Sequence, residues 1–123
     1  MKGKHFFYEN GTEFFIRGVA YQADVNSNTT VSSTATFTDP LADETACKRD
    51  IPVLKELGTN VIRVYAINAS LDHSACMDLL AENEIYLLQD LSNPSAAIDR
   101  SDPEWTTTLF SDYAAVVLSL IHI

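Results

Sequence analysis

Basic residues are scarce in this sequence of 123 residues, where eight Lys and Arg stand against 17 Asp and Glu. The formal net charge of −9 gives no positive surface for a phosphate backbone or an anionic membrane, so we expect no nucleic-acid partner. Long apolar runs are missing as well. The amino end holds no stretch of signal-peptide length, and the apolar carboxyl end is shorter than the ~20 residues that span a bilayer.

Cysteine and histidine are also rare. Cys47 and Cys76 lie near the amino ends of two successive predicted helices, where they would form either a disulfide or two buried free thiols. No Cys/His cluster has the spacing of metal ligands, so we expect no metal site and no cofactor. Motifs for a nucleophilic serine or a phosphate-binding loop are absent too, and no convincing acid–base pair is visible.

Three Asn-x-Ser/Thr sequons are candidates for N-glycosylation, which favours a secreted protein. They begin at Asn10, Asn28 and Asn68. Because secretion requires a signal peptide that this sequence does not show, we expect the true start of the protein to be missing.

Strands and helices alternate along the chain. The predicted elements are a hairpin over 5–16, a buried strand over 17–22, a polar loop over 23–39, a helix that ends at Gly58, a strand over 60–66, a helix over 74–83, a strand over 85–91 and a helix from 102 to the end. Asp50 would cap the first helix if Pro52 lies in its first turn, and Asp102 would cap the third. Gly18 is expected where another chain segment approaches closely.

This alternation predicts an α/β fold with parallel strands joined by right-handed crossovers. A doubly wound open sheet and the start of a barrel both fit, but the first strand–helix junction lacks the glycine pattern of dinucleotide-binding folds. A (β/α)8 barrel takes ~250 residues, so the chain would supply about three of its eight units. Such an open piece would be poorly stable alone.

Polar side chains at the carboxyl ends of the strands form the candidate site, since parallel barrels carry their active sites there. Arg63 and Tyr65 lie on one face of the second barrel strand, while Gln22 and Asp90 follow the first and third. Arg63 would either bond a carboxylate inside a barrel or lie in solvent. The Tyr65 ring would either border the site or only pack against neighbouring side chains. Gln22 and Asp90 would bond sugar hydroxyls or cap turns.

Several strings of the sequence resemble the start of glycoside hydrolase family 72. They are FFIRGVAYQ at 14–22, DPLAD at 39–43, CKRDIP at 47–52, GTNVIRVYA at 58–66, LDHSACM at 71–77 and IDRSDPEW at 98–105. The resemblance implies a fungal, glycosylphosphatidylinositol-anchored 1,3-β-glucanosyltransferase of the cell wall and outer membrane face, with the lipid anchor outside this chain. Such an enzyme cuts β-1,3-glucan and joins the new end to an acceptor chain with retention. Residues 1–123 would be the first part of its TIM barrel, a β-hairpin followed by three βα units.

The resemblance also implies roles for single residues. Tyr65 matches a contact to the donor glucan, Gln22 and Asp90 match polar positions of the sugar cleft, and Arg63 looks like the strand arginine that supports the nucleophile. Cys47 and Cys76 match a pair of cysteines that form a disulfide in the family.

Both catalytic glutamates of the family are expected beyond Ile123. In retaining enzymes the two carboxyl groups lie ~5–5.5 Å apart and act through a covalent glycosyl-enzyme. We therefore expect the chain to be inactive alone. The alternative is a non-catalytic glucan-binding protein or a non-functional truncated product.

Overall fold

The structure, a computed structural model, describes residues 3–22, 37–92, 98–99, 101–103 and 105–121. Its elements are β1 (Phe6–Phe7), β2 (Glu13–Phe14), β3 (Gly18–Ala20), α1 (Glu44–Glu56), β4 (Val61–Val64), α2 (Ser74–Glu82), β5 (Tyr86–Gln89) and α3 (Thr107–Ile121). This order confirms the predicted α/β class. Most of the predicted polar loop over 23–39, and the sequon at Asn28, lie outside the described residues.

Strands β1 and β2 form the predicted antiparallel hairpin. Its turn is closed by two backbone hydrogen bonds, from Gly11 N to Tyr8 O at 3.0 Å and from Tyr8 N to Thr12 O at 2.9 Å. Gly11 has a positive φ of 84°, but Asn10 does not, so the turn is a three-residue type and not the two-residue Asn-Gly turn. The Asn10 side chain instead accepts a hydrogen bond from Thr12 N at 2.9 Å.

Strands β3, β4 and β5 form a parallel sheet in that order, which is the arrangement that right-handed crossovers produce. Helices α1 and α2 pack on one face, where the alternate β4 residues Ile62 and Val64 are fully buried. The buried apolar cluster contains Leu41, Cys47, Ile51, Ile62, Val64, Ile67, Cys76, Leu80, Ile85 and Val116. Each large side chain buried there contributes ~1.5–3 kcal/mol, so this cluster holds the sheet to its helices.

The first sheet strand differs from the prediction, because β3 is exposed along its whole length and not buried. It is one of the two outer strands of the sheet, with a hydrogen-bonded neighbour on one side only among the described residues. The close approach expected at Gly18 is confirmed. A Cβ at this position would lie 3.0 Å from Val61 O, which is tighter than an ordinary contact, so a side chain here would push β3 and β4 apart by a few tenths of an ångström.

Helix α1 contains Cys47 in its first turn, as predicted, and Asp43 is its N-cap, whose carboxylate accepts a hydrogen bond from Ala46 N at 3.0 Å. Pro52 lies inside this continuous helix and not in its first turn, so the condition under which Asp50 would cap the helix is not met. Gly58 follows the helix with a φ of 76°, which confirms the predicted left-handed stop.

Helix α3 begins later than predicted. It starts at Thr107, and Thr106 Oγ1 accepts a hydrogen bond from Leu109 N at 3.2 Å, so Thr106 and not Asp102 caps its first turn. Trp105 precedes the helix, is 65% exposed and stacks on Phe110. Within the described part of the chain, no helix has the length and apolar character needed to cross a membrane.

Candidate functional site

The candidate site lies at the carboxyl ends of the three parallel strands. Gln22 follows β3, Tyr65 follows β4, Asp90 follows β5, and Arg63 stands within β4. In the parallel register Arg63 pairs with Ala20 and Leu88, on the sheet face opposite the helices. The structure brings all four predicted side chains into one connected network.

Arg63 and Asp90 form a two-pronged ion pair. Arg63 Nε donates to Asp90 Oδ1 at 3.1 Å, and Nη2 donates to Oδ2 at 2.7 Å. The hydrogen bond to Asp90 and its negative charge raise the pKa of Arg63. Arg63 thus bonds a carboxylate that follows the neighbouring strand, while its side chain is also 48% exposed, so both features considered for Arg63 are present.

Tyr65 lies directly against this ion pair. Its ring centroid is 4.5 Å from the guanidinium carbon of Arg63, within the range of a cation–π contact. The side chain is nevertheless 41% exposed, so a tyrosine ring is presented at the rim of the sheet. An aromatic ring held on a fixed support is a suitable surface for the apolar face of a sugar.

Gln22 forms hydrogen bonds with the segment before α1 and with the loop that follows β4. Its Oε1 accepts hydrogen bonds from Tyr65 N at 3.1 Å and Ala66 N at 3.2 Å, and its Nε2 donates to Thr38 O at 2.9 Å. These two donors use both lone pairs of the oxygen. These bonds are to the backbone after β4 and not to a turn that directly follows Gln22, and the contact of Gln22 with sugar hydroxyls stays a prediction.

Sequence reasoning missed a buried pair below this rim, formed by Asp39 and His73. The side chains are 4% and 1% exposed, and His73 Nε2 lies 2.9 Å from Asp39 Oδ2. His73 Nδ1 has no hydrogen-bond partner in the part of the chain that the structure describes. Both residues lie in segments that resemble the family, 39–43 and 71–77, but nothing in those segments indicates that the two side chains meet.

Cys47 and Cys76 form a disulfide with a Cα–Cα distance of 5.6 Å, which confirms the pairing implied by the family resemblance. The bond joins the first turn of α1 to the first turn of α2, and both residues are fully buried. The two helices, and the loops that lead into them, are thereby fixed to each other.

Two of the three glycosylation candidates lie in the described part of the chain. Asn10 and Asn68 are exposed, as a glycosylation site must be. Among the described residues there is no group of three or more His, Cys, Asp or Glu side chains arranged to hold a metal ion.

Comparison with known proteins gives consistent matches. A family model described as Glucanosyltransferase matches residues 1–122. The 1,3-beta-glucanosyltransferase gas1 of Schizosaccharomyces pombe is 55% identical over 118 residues, which are 96% of this chain and 21% of that protein. The 1,3-beta-glucanosyltransferase GAS5 of Saccharomyces cerevisiae is 52% identical over 104 residues, which are 84% of this chain and 20% of that protein.

A solved structure, Saccharomyces cerevisiae Gas2p in complex with laminaripentaose, matches the fold with a TM-score of 0.83 and 40% sequence identity. The match covers 98% of this chain and 27% of that chain. This chain thus spans about a fifth of the length of the curated relatives that it matches.

Proposed function

Because the chain belongs to the glucanosyltransferase family, glycoside hydrolase family 72, we propose that it is the first part of the catalytic domain of a 1,3-β-glucanosyltransferase. The observation that carries this proposal is the connected network at the strand ends. The family resemblance assigns Gln22, Tyr65 and Asp90 to glucan binding and Arg63 to support of the nucleophile. These four residues are linked to one another there, although they lie in or just after three different strands.

The proposed substrate is β-1,3-glucan, both as donor and as acceptor. Laminarioligosaccharides are short β-1,3-glucans, and the solved relative binds laminaripentaose. The proposed reaction is transglycosylation with retained configuration, in which one carboxyl group is the nucleophile and a second is the acid and base. We propose that both glutamates belong to a later part of the transferase, so that the 123 residues alone are inactive.

The proposed architecture is a (β/α)8 barrel of which residues 1–123 form the beginning. The hairpin comes first, and β3, β4 and β5 with their helices supply about three of the eight units. Their consecutive parallel order supports this arrangement. In such a barrel the sheet face that carries Arg63 would line the interior, and the residues after each strand would surround the substrate.

Each residue of the site has a proposed role. Tyr65 contacts the donor glucan with its ring, Arg63 supports the nucleophile through its remaining N–H donors, and Asp90 holds Arg63 and borders the sugar cleft. Gln22 borders the same cleft and fixes the backbone at Tyr65. We further propose that the whole protein is attached to the outer face of the plasma membrane and the cell wall by a lipid anchor outside this chain. The disulfide and the exposed sequons support passage through the secretory pathway.

A chimaeric enzyme tests the proposal. In this gas1 chimaera the chain replaces the matching segment of S. pombe gas1, and the purified protein is incubated with laminaripentaose. We expect products longer than the starting pentaose in mass spectra, and none from the 123-residue chain alone. A folded but inactive chimaera would contradict the proposed function, and elongation by the chain alone would contradict its proposed inactivity.

Removal of the Tyr65 ring tests the site itself. In the gas1 chimaera, Tyr65→Ala should raise the KM for laminaripentaose roughly tenfold, the size expected from the loss of one aromatic contact worth ~1.4 kcal/mol. The matched control is Leu71→Ala, which truncates another exposed side chain of the same loop. Equal KM values for both variants and the parent chimaera would show that Tyr65 does not contact glucan.

A further inference from the structure

The loop that carries Tyr65 is held by a buried hydrogen-bond network that the proposed mechanism does not use. This loop, residues 65–73, is called the β4–α2 loop. The network centres on Asp39, which lies in the segment before α1. Asp39 Oδ2 accepts hydrogen bonds from Asn68 N at 2.7 Å and from His73 Nε2 at 2.9 Å, and Oδ1 accepts one from Leu41 N at 2.9 Å.

The chemistry of these contacts fixes their direction. A carboxylate can only accept, so Nε2 of His73 must be the donor. Asp39 therefore binds three N–H groups while it is almost completely buried, and two of the three belong to the β4–α2 loop. A carboxylate buried with this many donors is costly to leave unpaired, so the loop has a strong preference for this one position.

The contacts that hold the β4–α2 loop follow one another along its length. Gln22 binds its first two residues and also binds Thr38 O, which is adjacent to Asp39 in the chain. Asp39 then binds the middle and the end of the loop, and the disulfide follows within α2. Gln22 and Asp39, which make the hydrogen bonds, both lie between β3 and α1, whereas the disulfide partner Cys47 lies in α1. Gln22 and Asp39 therefore hold the loop that sets where Tyr65 lies relative to Arg63.

We propose that Asp39 and His73 are positioning residues, which hold the β4–α2 loop so that the Tyr65 ring lies over Arg63 and is ready to bind glucan. The inference rests on the proposed function, since it assigns a purpose to the fixed position of Tyr65. Neither residue contacts the substrate. Both act through the backbone between residues 65 and 73.

Two substitutions of nearly equal polarity separate positioning from general stability. In His73→Gln the amide nitrogen takes the place of Nε2 and keeps the bond to Asp39, whereas in His73→Asn the shorter side chain reaches only the place of Nδ1. In the gas1 chimaera we expect His73→Gln to retain the parent KM for laminaripentaose within about twofold. His73→Asn should raise this KM roughly five- to tenfold, with a smaller change in kcat.

A double-mutant cycle with Tyr65→Ala then tests whether the effect of His73→Asn on KM depends on the Tyr65 ring. If His73 acts by positioning this ring, His73→Asn should change KM by less than about 1.5-fold in a Tyr65→Ala background. A purely structural role would lower the unfolding temperature and raise KM equally in both backgrounds. Should His73→Asn not fold, Asp39→Asn removes part of the same network and is measured in the same cycle.

The outcomes are distinguishable. An inactive but folded parent chimaera would contradict the proposed function and this inference with it. An active parent in which His73→Asn raises KM by the same factor with and without Tyr65 would contradict the inference alone. Equal KM values for His73→Gln and His73→Asn would also contradict the inference alone.

Discussion

Among single residues, the Arg63–Asp90 pair has the most direct consequence for chemistry. Asp90→Asn removes the negative charge and one of the two acceptors, so the guanidinium loses its fixed orientation. We expect kcat of the gas1 chimaera to fall about tenfold or more, with little loss of folding stability, since partly exposed pairs contribute only ~0–1 kcal/mol. Initial rates and thermal unfolding measure the two effects. Asp78→Asn, at an exposed position of α2, is the control, and an unchanged kcat for Asp90→Asn would exclude the proposed support.

Tyr21 gives a prediction about pH. Its partial burial and its hydrogen bond to negatively charged Asp50, at 3.1 Å, raise the pKa of Tyr21 from 10.0 to about 12. As the pH rises, Tyr21 therefore ionises at a lower pH in the unfolded chain than in the folded chain. The contribution of Tyr21 to stability is complete below pH 10 and is lost as the pH rises from 10 to about 12. Tyrosinate absorbance should show one tyrosine with this late titration, and it should vanish in Tyr21→Phe. A normal titration of all tyrosines would contradict the prediction.

At the scale of elements, the disulfide is a covalent link between α1 and α2. It joins residues 29 positions apart, and closing a loop of this length stabilises the folded state by about 3–4 kcal/mol in the chain-entropy model. The double variant Cys47→Ala with Cys76→Ala should therefore lose at least about 3 kcal/mol of unfolding free energy in urea titrations of the gas1 chimaera. Thr45→Ala, on the exposed side of α1, is the control. A loss below about 1 kcal/mol would mean that packing alone holds the two helices together.

Local sequence patterns predicted an element well where a single residue, or the alternation of apolar and polar residues, determines it. Gly58 marks the end of α1, and the alternation in β4 separates buried Ile62 from exposed Arg63. The N-cap of α1 was left open by the sequence, because Asp43 and Asp50 are both of a residue type that caps helices. The structure has Asp43 as the cap, since its carboxylate accepts the hydrogen bond from Ala46 N.

Only part of the candidate site could be predicted, because its residues also meet through contacts between distant parts of the sequence. Strand ends place Gln22, Tyr65 and Asp90 on one rim, and the sequence pattern is sufficient to see this. The Arg63–Asp90 and Gln22–Ala66 hydrogen bonds join residues 27 and 44 positions apart, and no local sequence pattern predicts contacts of this range. The Asp39–His73 pair, 34 positions apart, was missed on the same grounds.

At the scale of the whole molecule, α1 and α2 cover one face of the three-stranded sheet. The other is called the open face, because among the described residues it carries exposed apolar side chains. The open face and the nearby hairpin form an apolar groove lined by side chains that include Phe6, Ile16, Val61, Tyr86 and Leu88. Several of these are more than 40% exposed, among them Tyr86 at 56% and Leu88 at 53%. Contiguous apolar surface of this kind favours association with another apolar surface, and an outer strand adds unpaired backbone groups.

We therefore expect the isolated 123-residue chain to associate with itself as its concentration rises, which sedimentation velocity would show. Leu88→Lys places a charge at the centre of the groove and should shift the protein toward the monomer. Leu57→Lys is the matched control, because Leu57 is even more exposed, at 74%, but lies at the end of α1. If association came from general hydrophobicity, both substitutions would weaken it equally. A chain that stays monomeric at all concentrations would show that the open face does not drive association.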